Sequence, residues 1–180
     1  MKLITLLKDF NLLATTSRGN ERQMCIELSY LLKEELEDPA PEVDKTGIRG
    51  LVAAKTNFDP CIVIEKFHAV LQERPYEFRY ALRIIPVEKV VPTDLEEVKR
   101  AASKLAVNIG ENETFRVTVE KRFTSLHSRD FIEAAATAID RKVDLEKPDK
   151  ILLIEVVGRL TGLALIKPGV VLAVVKEKML

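Results

Sequence analysis

Phe115-Arg-Val-Thr-Val-Glu-Lys-Arg122 alternates apolar and polar side chains, with Phe115, Val117 and Val119 on one side and Arg116, Thr118 and Glu120 on the other. A period of two belongs to a β-strand with one buried face. The flanking segments read as helices. Upstream, Thr93 and Glu96 form a capping-box pair after Pro92, and Leu95, Val98, Ala102, Leu105 and Ile109 recur at helical spacing as far as Gly110. Downstream, Ser128 stands at the capping position of a helix whose buried stripe is Phe131, Ile132, Ala135, Ala136 and Ile139. The continuous apolar runs 151–157 and 162–166 then have the character of strands covered on both faces, and the run 170–175 is expected to extend that sheet.

The first half of the chain repeats this grammar in a different order. Residues 11–17 are β-prone and stop at Arg18-Gly-Asn20, where Asn20, with Gln23 at the capping-box position, opens a helix carrying Met24, Leu28, Leu31 and Leu32 as far as Leu36. Pro39 and Pro41 end it. Gly47, Gly50 and the apolar run 51–54 suggest a strand pair or an irregular strand finishing near Thr56. Asp59-Pro60 sets a capping carboxylate before a proline at the first helical position, and Ile64, Phe67, His68 and Leu71 continue to Pro75. Residues 80–91 read as one strand, on which Arg79, Arg83 and Lys89 are expected to line a groove between two domains. The order βαββαβ is the split βαβ, or ferredoxin-like, arrangement. An α/β (α+β) chain results, with an N-terminal ferredoxin-like domain over residues 1–90 and a second α/β domain over 91–180.

Composition limits function more than it reveals it. The chain has 180 residues, 47% hydrophobic and 31% charged, with 28 basic and 28 acidic side chains, so no global field draws it to nucleic acid or to an anionic membrane. Any polyanion site has to be local. No apolar run approaches the roughly 18 residues of a membrane helix, and residues 1–7 are too short for a signal-peptide core, so a cytoplasmic protein is expected. Cys25 and Cys61 form no CxxC, and His68 and His127 lack ligand-like neighbours, which points to neutral cysteines in a reducing compartment and to no metal. No GxxxxGK[ST], GxSxG, HExxH or GxGxxG appears, so neither a catalytic residue nor a cofactor is nominated.

Three polar constellations remain. Ser125 or Ser128 beside His127 fits helix capping better than nucleophilic catalysis. Arg18 in the first strand-to-helix loop leaves open a small acyl-phosphate hydrolase, although a turn with an Asn cap explains the same residues. On the helix after Asp94, Arg100 and Lys104 lie opposite the apolar stripe, with Glu96 placed to pair Arg100 across one turn. The segment 120–129 differs: Lys121, Arg122, Ser125, His127, Ser128 and Arg129, with Phe123 and Thr124, gather cations and hydroxyls against one acid, just ahead of a helix N-terminus. Such a loop suits an anion, and a single-stranded RNA end in particular, because its phosphates, hydroxyls and stackable bases are closely spaced. A small-molecule-binding regulatory module built on the ferredoxin-like domain stays open as well.

Phe115 to Arg122, then Ser128, then Val143-Asp-Leu-Glu-Lys-Pro-Asp149 and Ile151-Leu-Leu-Ile-Glu-Val156, resemble the core of a THUMP domain, an RNA-binding module of tRNA-modifying enzymes. Phe10-Asn-Leu-Leu-Ala-Thr-Thr16 with Gly19 and Glu21, the stretch from Gly50 to Thr56 before Asp59-Pro60, and Arg83-Ile-Ile-Pro-Val-Glu88 resemble the stand-alone branch of that family. The branch includes the adaptor for tRNA N4-acetylcytidine formation. The resemblance implies a non-catalytic, cofactor-free adaptor that grips the acceptor stem and single-stranded 3′ end of tRNA for a partner enzyme, a tRNA acetyltransferase. It places RNA contacts at Lys121, Arg122 and Ser128, with Arg83 on the interdomain strand. Ser125, His127, Arg129 and Arg116 complete the expected RNA-binding set.

Overall fold

The computed structural model describes residues 8–179, so the reading of residues 1–7 lies outside the described residues. Two compact units form: one holds the residues up to Val87 together with those from Gly169 onward, the other Glu88–Pro168.

In the first unit the order is β1 (Leu12–Thr15), α1 (Glu21–Tyr30) running on into a π-helical turn (Leu31–Glu35), β2 (Glu42–Lys45), β3 (Leu51–Lys55), α2 (Pro60–Glu73) and β4 (Arg83–Pro86). β4, β1, β3 and β2 are neighbours in that order and every pair is antiparallel, which is the ferredoxin-like arrangement. Leu12, Ala14, Val52, Ala54 and Ile84 meet Met24, Leu28, Leu32, Ile64, Phe67 and Leu71 in one core. The helical spacing of the last six residues puts them on the sheet-facing sides of their helices.

Local signals acted here with substitutions of role. Asp59 caps α2 as expected, accepting from the N–H groups of Cys61 and Ile62. Asn20 occupies the N-cap position of α1 without a side-chain capping bond. Glu21 instead reaches across to the Gly50 N–H at 3.0 Å, a bond that holds its carboxyl below the usual range. Gly50 has φ +76°, and a Cβ there would stand 2.8 Å from the Thr16 carbonyl oxygen, so the β2–β3 connection requires glycine. Glu27 of α1, 8% exposed, accepts from the consecutive N–H groups of Arg79, Tyr80 and Ala81 and so fixes the segment entering β4.

Two expectations change. Residues 80–91 are not one strand: β4 ends at Pro86 and a separate strand, β5 (Lys89–Pro92), belongs to the second sheet. The Val87 N–H bonds the Asn11 carbonyl while the Glu88 N–H bonds that of Leu163, so the chain changes sheet between adjacent residues. Arg83 and Lys89 therefore share no strand face. The run 170–175 also extends a different sheet from the one expected. Leu172–Ala173 pairs antiparallel with β4, and the short helix Val174–Lys178 follows, so the residues from Gly169 belong with the first unit rather than with 91–168. His68 of α2 ties this segment down, its Nδ1 2.5 Å from the Glu177 carboxylate and its Nε2 2.9 Å from the Val170 carbonyl oxygen.

The second unit continues with α3 (Leu95–Ala106), β6 (Thr114–Glu120), α4 (Ser128–Thr137), β7 (Lys142–Val143), β8 (Lys150–Val157) and β9 (Leu160–Ile166). Its sheet order is β5-β9-β8-β6-β7, with β6 parallel to β7 and β8 and the other pairs antiparallel. Val98, Ala102, Leu105, Phe131 and Ala135 from the two helices pack with Phe115, Leu152, Ile154, Val156 and Leu163 of the sheet. Ile132, expected in the stripe of α4, is 39% exposed. Asp94, not Thr93, caps α3, accepting from the N–H groups of Glu96 and Glu97. The Thr93 hydroxyl donates to the Gly158 carbonyl at 2.8 Å instead.

Candidate functional site

β6 and β8 run parallel, and the chain leaves the carboxyl end of β6 to start α4 after seven intervening residues. Loops at the carboxyl ends of parallel strands, next to a helix N-terminus, are a recurrent place for anionic ligands. Residues 121–127 form this loop, and internal bonds hold it. The Lys121 ammonium donates to the Leu126 carbonyl at 3.2 Å, the Leu126 N–H donates to the Thr124 hydroxyl at 3.2 Å, and the Gly158 N–H donates to the Arg122 carbonyl at 2.8 Å. Leu126 packs on the core of the unit. His127 holds the N-cap position expected of Ser128, with its N–H on the Asp130 carboxylate at 2.9 Å; Ser128 is the first helical residue.

Arg122 does something other than face a ligand. Its guanidinium lies 3.0 Å from the carboxylate of Glu155 on β8, and the two side chains are 16% and 3% exposed. A carboxylate inside a sheet is stable only with compensation, and Arg122 supplies it from the loop that follows β6. A glutamate within the otherwise apolar run 151–157 was the sequence signal for this pair. Arg116 also stands apart. It sits near the start of β6, five residues and therefore about 16 Å from Lys121 along the strand, and its guanidinium donates to the Leu145 carbonyl at 3.0 Å. Lys121, Ser125, His127 and Arg129 are all exposed, and the Arg129 side chain makes no hydrogen bond or ion pair among the described residues. The loop and the first turn of α4 therefore carry Lys121, Ser125, His127, Ser128 and Arg129, while Arg122 pairs with Glu155. Arg83 belongs to β4 of the first unit, its N–H on the Thr15 hydroxyl at 3.1 Å.

The motif 143–149 supports the strand leading to this loop. Asp144 accepts from the N–H groups of Glu146 and Lys147, at 3.0 Å each, which holds its carboxyl below the usual range. Asp149 accepts from the Thr114 N–H at 2.8 Å and so fixes the first residue of β6. On α3, Arg100 pairs with Glu97 rather than with Glu96. Arg18 is exposed in its turn, and the Glu21 carboxylate already takes the nearby Gly50 N–H. Cys25 and Cys61 form no disulfide and are half-buried, and burial pushes the Cys25 thiol up to about 11. Among the described residues no cluster of three or more His, Cys, Asp or Glu is placed to hold a metal, and no helix is long and apolar enough to cross a membrane.

Several solved structures share this fold. TrmN from Thermus thermophilus superposes with a TM-score of 0.57 at 20% identity, over 87% of this chain and 45% of its own. PH1313 from Pyrococcus horikoshii Ot3 gives 0.63 at 22% identity, over 88% and 55%. A 4-thiouridine synthetase solved with RNA and bound ATP gives 0.54 at 16% identity, over 88% and 42%. The chain thus spans about half the length of the solved structures it matches. No curated protein matches it in sequence. The THUMP domain family matches residues 92–165, which lie within the unit Glu88–Pro168. That match covers β6, the loop and α4, so a THUMP domain occupies this part of the chain.

Proposed function

We propose that this protein binds tRNA at the acceptor stem and unpaired 3′ end through the loop 121–129 of its THUMP domain, and that it acts as a non-catalytic, cytoplasmic adaptor. A separate enzyme, a tRNA acetyltransferase forming N4-acetylcytidine, carries out the chemistry. The observation that carries the reading is the pinned loop at the carboxyl end of β6. It keeps Lys121 and Arg129 exposed and, among the described residues, clear of carboxylate partners, in a chain with equal numbers of acids and bases. Phosphates need such free cations, and a short unpaired RNA end fits a patch this small. The 4-thiouridine synthetase with the same fold was solved with RNA, which supports the RNA reading. The resemblance of the first half to the stand-alone branch supports the adaptor role.

The test is anisotropy of labelled tRNA against salt. Lys121→Ala is expected to weaken binding and to make the slope of log affinity against log salt shallower by about 0.7–0.9, the share of one phosphate contact. Removing the unpaired 3′ nucleotides is expected to weaken the wild type and to cost less in a Lys121→Ala, Arg129→Ala protein, since the two changes share phosphate contacts. Full additivity would place the 3′ end elsewhere. Incubation of the purified chain with tRNA and acetyl-CoA is expected to give no modified nucleoside; its formation without a second protein would overturn the adaptor role.

A further inference from the structure

Phe123 stands at the tip of the pinned loop with φ +55° and is 75% exposed. A bulky side chain at positive φ is an outlier that opposes folding, and glycine or asparagine normally fills such a position. Glu37, the other non-glycine residue with positive φ among those described, follows directly on the end of a helix, where a left-handed residue is an ordinary terminator. Phe123 has no such excuse: it lies between a strand and a helix start, and its ring gains little burial in return for the conformation. Its neighbours are held on both sides, Arg122 through Glu155 and the Gly158 N–H, Thr124 and Leu126 through each other. The strained conformation is therefore imposed by anchored flanks, and its result is an aromatic face presented to solvent between the exposed Lys121 and Ser125.

Strain without a packing return points to a role in binding. From this geometry we infer that Phe123 is a preorganised stacking platform for one unpaired base, so that the loop distinguishes a single-stranded RNA end from a duplex. The inference rests on the RNA-binding reading above. Bases in a duplex are already stacked on each other, whereas a base in an unpaired tail has a free face for the ring, and base–aromatic stacking tolerates any sequence. Lys121 and Arg129 would then act on phosphates while Phe123 selects for the unpaired state.

The experiment compares an RNA hairpin bearing an unpaired 3′ tail with 2-aminopurine in it and the same hairpin with a blunt end. Phe123→Gly and Phe123→Leu are expected to lose about 5- to 150-fold in affinity for the tailed hairpin, to abolish quenching of 2-aminopurine, and to bind the blunt hairpin as the wild type does. Phe123→Trp is expected to restore quenching. Phe123→Gly removes the strained side chain, so its denaturation midpoint is expected to equal or exceed the wild type's, which separates lost binding from lost folding. Wild-type affinity for the tailed hairpin in both Gly and Leu variants, while Lys121→Ala weakens it, would overturn the stacking role and leave the RNA reading intact. Equal losses on tailed and blunt hairpins would also overturn it. No RNA binding by the wild type would defeat both.

Discussion

Replacing Arg122 by alanine tests whether this cation serves the fold. The guanidinium is 3.0 Å from a carboxylate that is 3% exposed, so the substitution strips a buried anion of its facing positive charge. Breaking a buried pair by removing one partner costs about 3–5 kcal/mol. The 16% exposure of Arg122 gives water partial access to the site, which sets the expectation at the lower end, about 3 kcal/mol. Urea denaturation followed by circular dichroism reads the loss as a lower midpoint for the second unit at an unchanged slope. A cycle with Glu155→Gln sharpens the assignment. Neutralising the carboxylate in the Arg122→Ala background is expected to recover part of the stability, because the two residues act on one another. A loss under about 1 kcal/mol, or full additivity of the two changes, would refute the reasoning and return Arg122 to the solvent-facing loop. It follows that the RNA affinity of an Arg122 variant says nothing about contact until its folding has been measured.

Other consequences are equally open to measurement. Glu27→Ala removes the acceptor of three consecutive N–H groups and is expected to destabilise the first unit by about 1–3 kcal/mol for the groups left without a partner; a neutral result would show that water replaces the carboxylate. With its thiol pushed up to about 11 by burial, Cys25 is expected to alkylate far more slowly than a free peptide thiol at pH 8, and a rate matching the free thiol would contradict that burial. Glu113 is held low by the Lys150 ammonium, and Asp144 by the Lys147 and Glu146 N–H groups. A lowered folded-state pKa gives stability above the unfolded pKa that is lost as pH falls through the folded value. The second unit is therefore expected to weaken below the ordinary carboxylate range, from about pH 4 downward, and Glu113→Gln with Asp144→Asn to flatten that decline.

Much of this architecture was legible because it follows from local periodicity. The alternation at 115–120, the helical stripes of α1 to α4 and the Asp59-Pro60 start each express a geometry their own residues determine. Partners outside the segment were not legible. Residues 80–91 read as one apolar strand because alternation reports a buried face and not which sheet supplies it, and Leu172–Ala173 joined β4 for the same reason. Capping moved by one residue at α3 and α4, where Asp94 and His127 took positions expected of Thr93 and Ser128. In the loop, Lys121 and Arg129 stand exposed as the charge pattern suggested, while Arg122 turned inward to a glutamate that the sequence displayed in an apolar strand. The left-handed conformation of Phe123 had no sequence sign, since glycine and asparagine are the residues that announce it.

The most direct test of RNA binding through this loop compares two charge removals in one anisotropy titration with intact tRNA. Lys121→Ala with Arg129→Ala deletes two exposed loop cations and leaves the buried Arg122–Glu155 pair in place, while Arg100→Ala with Lys104→Ala deletes two cations from the solvated face of α3, where Arg100 already pairs with Glu97. At equal loss of formal charge, the loop variant is expected to lose at least tenfold in affinity and the helix variant less than threefold, about 1.4 against 0.6 kcal/mol. Equal losses from the two variants would mean that RNA responds to net charge alone, and the assignment of the interface to the loop after β6 would be contradicted.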